Sequence, residues 1–252
     1  TITLTSSLTG GSLGGILNFR SQVLTPAVDN LDALAFSTAT EVNTIQTTGI
    51  DATGTRGTNL FDPNVETLGA AGFTLLINNP ARIAAAGLAR VTADPDNTGS
   101  AKLDYSDIVA GSAIPDFTLT YTDAAGYTIN GGAVVPDASG SFDFGGVTYT
   151  VTGAPEDGDS FIVGQNLNSL GNNKSILAMS RLQTKEVLDG DRSLGDGYLD
   201  LVGEIGNAST LAKISQDALQ VVYDQAVEAK DKVSGVSLDQ EAADLILSLI
   251  HI

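Results

Sequence analysis

YLDLVGEIGNASTLAKISQDALQVVYDQAVEAKDKV, residues 198–233, decides how this chain folds. Within it Tyr198, Leu201, Ile205, Ala208, Ala212, Ser215, Leu219, Val222, Ala226, Ala229 and Val233 follow one another at alternating spacings of three and four residues. Because a helix turns once in about 3.6 residues, that rhythm draws one unbroken apolar stripe down a rod roughly 50 Å long. Several stripe residues are small and let a partner backbone come close, whereas each fully buried Leu or Val contributes about 1.5–3 kcal/mol. Ser234-Gly235 ends the run, with Gly235 suited to a left-handed cap.

A second stripe lies near the start of the chain. Leu17, Leu24, Leu31 and Ile45 share one heptad position, and Val28, Ala35 and Val42 fall on its partner position. Leaving either stripe in water costs free energy, so the pattern predicts that Leu17–Ile45 and Tyr198–Val233 pack on each other as an antiparallel or near-antiparallel pair. Pro26 lacks an N–H and disfavours helical geometry at Thr25, so the first helix is expected to kink or begin there. After it, GIDATGTRGTNLFD is dense in Gly, Asp and Thr and reads as a loop or short hairpin before the Ala-rich segment Asn79–Ala89.

Between the two helical arms the period changes from 3.6 to 2. Phe117, Leu119 and Tyr121 alternate with Thr118, Thr120 and Thr122, and Asp123–Gly126 then offers a turn before Tyr127 and Ile129. Phe142 and Phe144 lead through Gly145-Gly146 into Val147, Tyr149 and Val151, a second hairpin whose glycines can supply the positive φ of a primed turn. Phe161 and Val163 mark a last strand. The expected fold is α+β: a discontinuous long-helix rod domain with an inserted β-rich domain. Its expected divisions are a first helical arm over 1–90, the β insertion over 91–168, a second helical arm over 169–235, and the start of a terminal helix over 236–246.

Composition narrows the chemistry. Twelve Lys+Arg stand against 30 Asp+Glu, a formal charge of −18 that repels phosphate backbones and anionic membrane surfaces, so neither nucleic acid nor membrane insertion is expected. Cysteine is absent, which excludes disulfides, thiolate catalysis and thiolate metal sites. His251 is the single histidine and lies next to the last residue, so a Ser-His-Asp arrangement has no placed imidazole. GGSLGG at 10–15 lacks the Lys-Ser/Thr of a phosphate-cradling loop. Two segments imitate calcium loops. In the first, Asp94, Asp96, Thr98 and Gly99 open the pattern, but Tyr105 stands at its twelfth position. In the second, Asp189, Asp191, Ser193 and Asp200 are well spaced, but Leu194 replaces the turn glycine. The chain is therefore expected not to be an enzyme and to need no metal or cofactor.

Three motifs carry a resemblance. Ser12, Leu13, Gly14, Gly15, Leu17, Phe19 and Arg20 form an SLGG-x-L-x-F-R segment opening a helix, where Ser12 can cap and Leu13 and Leu17 pack one turn apart. Asn172 and Asn173 in GNN, followed by Leu182, Gln183, Thr184 and Lys185 in LQTK and by LVGEIGN at 201–207, form the second series. SGVSLDQEAADLI at 234–246, with Gly235, Leu238 and Glu241, is the third. Together they resemble the flagellar hook-associated protein 1 family within the flagellar axial superfamily, and the chain looks like an internal or C-terminal piece of such a protein.

The resemblance implies a structural subunit at the hook–filament junction. It would be exported to the cell exterior with an export chaperone and would assemble with copies of itself in a ring, with hook protein and with the adjacent junction protein. A hook or rod axial protein, a secreted calcium-binding adhesive module built on the β zone, and a carboxylate-dependent hydrolase are the alternatives. The match stops after Ile246. LSLIHI at 247–252 is encoded by CTG-TCT-CTT-ATA-CAC-ATC, which looks like a transposon-end sequencing adaptor. Those residues are expected to be an artefact, poorly packed or merely extending the helix begun near Leu238.

Overall fold

The computed structural model describes residues 11–109, 111–167, 172–235 and 238–252. Two compact units divide the chain, Leu24–Leu201 forming one and the residues up to Val23 together with Val202–Ile252 the other. Helix α1 (Gly11–Phe19) is followed by a π-helical stretch, Arg20–Leu24, and then by α2 (Thr25–Thr47), with Pro26 in the first turn of α2. The proline explains the sequence of states. It offers no N–H to the carbonyl of Gln22, the ladder widens to the next donor, and the fixed φ of Pro26 then suits the start of a regular helix. Ser12 falls inside α1 rather than at its cap, because the helix already begins at Gly11, whose φ of 67° marks the turn into it.

In the unit Leu24–Leu201, helix stops at Thr47, far short of the expected limit near Ala89. Short strand β1 (Gly49–Ile50) follows, then a one-turn helix α3 (Val65–Leu68), 3-10 turns at Gly69–Gly72 and Pro80–Arg82, and strands β2 (Ala86–Gly87) and β3 (Ala89–Ala93). The Ala-rich segment is extended for a packing reason. Ala84, Ala86, Leu88 and Ala89 are all buried, so small side chains serve close approach here and not helix propensity.

The insertion is a two-layer antiparallel sandwich. Strands β4 (Lys102–Ile108), β5 (Phe117–Thr122), β6 (Gly126–Ile129), β7 (Gly132–Val134), β8 (Ser141–Phe144), β9 (Val147–Thr152) and β10 (Ser160–Gln165) join β3 in a five-stranded sheet of order β3-β10-β5-β6-β7 and a three-stranded sheet of order β4-β9-β8. Both predicted hairpins are present, with Tyr121 opposite Tyr127 in one and Phe144 opposite Val147 in the other. Gly145 and Gly146 take φ of 63° and 77°, as the primed turn requires. Phe117, Leu119, Ile129, Phe161 and Val163 of one sheet share a core with Leu103, Tyr105, Phe142, Val147, Tyr149 and Val151 of the other. Phe117 meets Tyr149 edge-on, with ring centroids 5.1 Å apart.

The chain leaves the sandwich into α4 (Lys174–Arg181), a small hairpin β11 (Glu186–Leu188) with β12 (Arg192–Ser193), and the long helix α5 (Leu194–Ser234). In the other unit α5 continues from Val202, and α6 (Leu238–His251) follows. The stripe predicted to be a closed seam is open: Ile205, Leu219, Val222 and Val233 are 47%, 69%, 60% and 90% exposed. In the first arm Leu24, Val28 and Leu31 are also exposed, Leu17, Val42 and Ile45 are half-buried, and only Leu201 of the named seam residues is buried. A heptad stripe states that a surface needs a partner, not which molecule supplies it.

Gly235 is corrected, since its φ is not left-handed. Its N–H donates to the Asp231 carbonyl at 2.6 Å, and a Cβ there would run into that carbonyl. Residues 247–251 continue α6 with exposed side chains. Among the described residues no helix is long and apolar enough to cross a membrane.

Candidate functional site

Where α2 ends, the β sandwich begins and α4 returns, buried polar side chains converge to form a splice in the unit Leu24–Leu201. Gln46 on the last turn of α2 is fully buried. Its Nε2 donates to the Arg82 carbonyl at 2.7 Å, and its Oε1 accepts from the Ala84 amide at 3.0 Å. Gly57 has to be glycine here, because a Cβ would strike the Gln46 carbonyl. Asn43, one turn earlier, accepts from the Leu60 and Phe61 amides at 2.8 and 2.9 Å and donates back to the Phe61 carbonyl at 2.9 Å. Arg56 donates to the carbonyls of Thr47 and Ser112 at 2.7 and 2.8 Å, placing a cation at the C-terminal end of α2 where the helix dipole favours it.

Asp51 is the buried charge of the splice. Its carboxylate accepts from the amides of Thr53 and Thr55, at 2.9 and 3.1 Å, and from both threonine hydroxyls, and Arg82 lies 3.0 Å away. Burial opposes ionisation, and the hydrogen bonds from Thr53 and Thr55 outweigh it, holding the Asp51 carboxyl below the ordinary carboxylate range.

The returning arm is fastened by Asn172. Its Oδ1 accepts from the Gly87 amide at 3.1 Å and from the Lys174 amide at 3.0 Å, and its Nδ2 donates to the Ala89 carbonyl at 3.0 Å. Three bonds thus join β2, β3 and the start of α4. Ser175 donates to the Ala86 carbonyl at 2.8 Å, and Asn166 to the Gly87 carbonyl at 3.0 Å. Lys174 reaches Asp104 and the Tyr105 carbonyl, with its ammonium 3.8 Å from the Tyr105 ring centroid. Burial pushes the Tyr105 phenol up, and it pushes Tyr149 up to about 12 with Tyr105 as a second cause. The Tyr149 hydroxyl is buried without a hydrogen-bond partner.

Of the motif residues predicted from sequence, the splice brings together Asn172, Leu182 and Lys185. Leu182 is buried at the end of α4, and Lys185 pairs with Glu41 of α2 at 2.7 Å. Asn173 precedes α4 without a side-chain capping bond, and Gln183 and Thr184 are exposed. Gly14 is buried in α1, whereas Ser12, Leu13, Gly15, Phe19 and Arg20 are exposed. Leu238 opens α6 and Glu241 lies exposed in its first turn. Gly171 lies outside the described residues.

Sequence reading missed Asn43, Gln46, Asp51, Asn166 and Ser175. Only Asp51 carried a local signal, the D-x-T-x-T spacing of an Asx-type loop. The two calcium-like segments have other work. Asp159 accepts from the Thr98, Gly99 and Glu156 amides and so ties Asp94–Gly99 to the GDSF turn at 158–161. Arg192 pairs with Asp189 and Asp200, and Ser193 exchanges hydrogen bonds with Asp196 as the N-cap of α5. Among the described residues no group of three or more His, Asp or Glu side chains is placed to hold a metal ion.

Comparison with known proteins follows the same lines. The family model described as "Flagellar hook-associated protein FlgK helical domain" matches residues 1–61, which include α1 and α2. Flagellar hook-associated protein 1 of Salmonella typhimurium is 27% identical over 94% of this chain, and its Escherichia coli counterpart is 28% identical over 94%. The chain spans 45% of the length of each of these relatives. The solved flagellar hook junction protein FlgK from Burkholderia pseudomallei has the same fold, with a TM-score of 0.72 at 23% identity over 92% of this chain and 64% of that one. The helical-domain match and the matches along most of the chain lead to one result: this chain is similar to proteins of the flagellar hook-associated protein 1 family.

Proposed function

We propose that the chain is part of a structural subunit of the bacterial flagellum at the hook–filament junction, acting outside the cell and performing no catalysis. The observation that carries the reading is the open apolar stripe of α5, in a chain related to hook-associated protein 1. A helix that exposes Ile205, Leu219 and Val222 on one face is built to be covered, and packing by neighbouring subunits covers it in an axial assembly. On this reading the partners are further copies in a ring, hook protein and the adjacent junction protein, with an export chaperone before assembly. The splice holds the β sandwich on the helical arm, so load passes through hydrogen-bonded backbone and not through a flexible linker.

The test replaces the matching segment of the Salmonella relative by residues 1–246 of this chain in a strain lacking that protein. Filaments on hooks and swimming in soft agar are expected. Hooks without filaments, from a chimera that is stable and exported, would refute the reading. A hook or rod role predicts instead that the chimera rescues a hook or rod mutant. The adhesive-module alternative has little support, because Asp159, Arg192 and Ser193 already engage the two calcium-like turns.

A further inference from the structure

Asn130-Gly131 is the one Asn-Gly pair in the sequence, and it sits at the tip of the β6–β7 hairpin, where Ile129 pairs with Gly132. Asn130 and Gly131 take φ of 47° and 86°, a primed two-residue turn. Asn130 is exposed, and no atom lies within 4 Å of where a Cβ on Gly131 would be. Little restrains the turn. Strand β7 is the edge of its sheet and pairs only with β6, over three residues, and Val135 just beyond it is 89% exposed. Two bonds of 3.3 Å hold Asn130 to Thr118, one from its amide to the Thr118 carbonyl and one from the Thr118 amide to its Oδ1.

We propose that Asn130–Gly131 is a site of spontaneous modification, at which the side-chain amide is lost and a carboxylate gained. Brief opening of the short edge hairpin frees Asn130 from its turn geometry, and openings of such weakly held edges lie at the low-energy end of native fluctuations. The Gly131 amide nitrogen then bonds to Asn130 Cγ and gives up its proton, the Cγ–Nδ2 bond breaks, and ammonia leaves a five-membered succinimide. Glycine permits this because no side chain blocks the approach of its nitrogen. Water opens the ring at either carbonyl, giving aspartate or isoaspartate. Aspartate suits a primed turn and adds one negative charge to the tip. Isoaspartate lengthens the backbone by a methylene, breaks the Ile129–Gly132 pairing and releases β7, so the conversion acts as a slow clock on the outermost hairpin of the sandwich.

The experiment incubates the folded 252-residue chain at neutral pH and body temperature and follows each asparagine by peptide mass mapping, with isoaspartate scored by fragmentation. The peptide carrying Asn130 is expected to gain the mass of NH-to-O exchange several-fold faster than any other asparagine peptide, and Asn130→Ser to abolish that gain. Asn130→Asp should keep the melting temperature of the parent, which shows that aspartate is accommodated. A folded chain whose Asn130 converts no faster than its other asparagines, while the urea-denatured chain converts readily at Asn130, would overturn the proposal by showing that the turn protects it.

Discussion

Asn172 illustrates how much one side chain can hold. It supplies three backbone partners that the ends of β2, β3 and α4 would otherwise lack, and its loss leaves those partly desolvated groups unpaired. Asn172→Ala is expected to lower stability by about 1–3 kcal/mol, read as a fall in the denaturant midpoint at unchanged slope. Tyr149 makes the opposite case. Its buried hydroxyl has no partner, so Tyr149→Phe should leave stability unchanged or raise it by up to about 1–3 kcal/mol, read in the denaturant midpoint. Asp51 adds a pH dependence whose sign follows from its lowered folded-state value. Its contribution is fully present above the unfolded carboxyl value near 3.8 and is lost as pH falls through the lower folded value. Asp51→Asn should therefore cost stability at neutral pH and flatten the acid limb below that point, which urea titration across pH measures.

The turns and caps do comparable work at the level of elements. Gly145 takes a left-handed φ, and a Cβ there would press on Pro115, so Gly145→Ala combines strain with a clash. A loss of roughly 1–3 kcal/mol is expected, with the β8–β9 hairpin the first part of the sandwich to lose amide protection. The same elements show what could be read in advance. The hairpins around Asp123–Gly126 and Gly145-Gly146 were legible because alternation and turn glycines are local signals. Strand β4 and the extended 84–89 segment were not. Tyr105 and Ala86 acquire their meaning from residues that are remote in sequence, Asn172 and Ser175.

For the whole molecule, the decisive residue is Leu219. As a closed intrachain seam, the stripe would make Leu219→Asp an unfolding mutation; at 69% exposure the side chain has little burial to lose. The variant is expected to melt within about 0.5 kcal/mol of the parent as a monomer, yet to fail in the chimera assay for filaments on hooks. A large fall in monomer stability would show that the stripe is covered within the chain after all.

The sequence by itself determined the long helices, the two hairpins, the break at Pro26, the α+β class and the family resemblance, because each rests on residues within a few turns or strands of one another. Tertiary structure decided the rest. It showed that Ala84, Ala86 and Ala89 are buried in a non-helical stretch, that Asn43, Gln46, Asp51 and Asn172 bind the splice, and that Ile205, Leu219 and Val222 of α5 are exposed. Periodicity fixes which face of a helix is apolar, whereas what covers that face depends on contacts between segments far apart in the chain or in different molecules, and no local pattern encodes those.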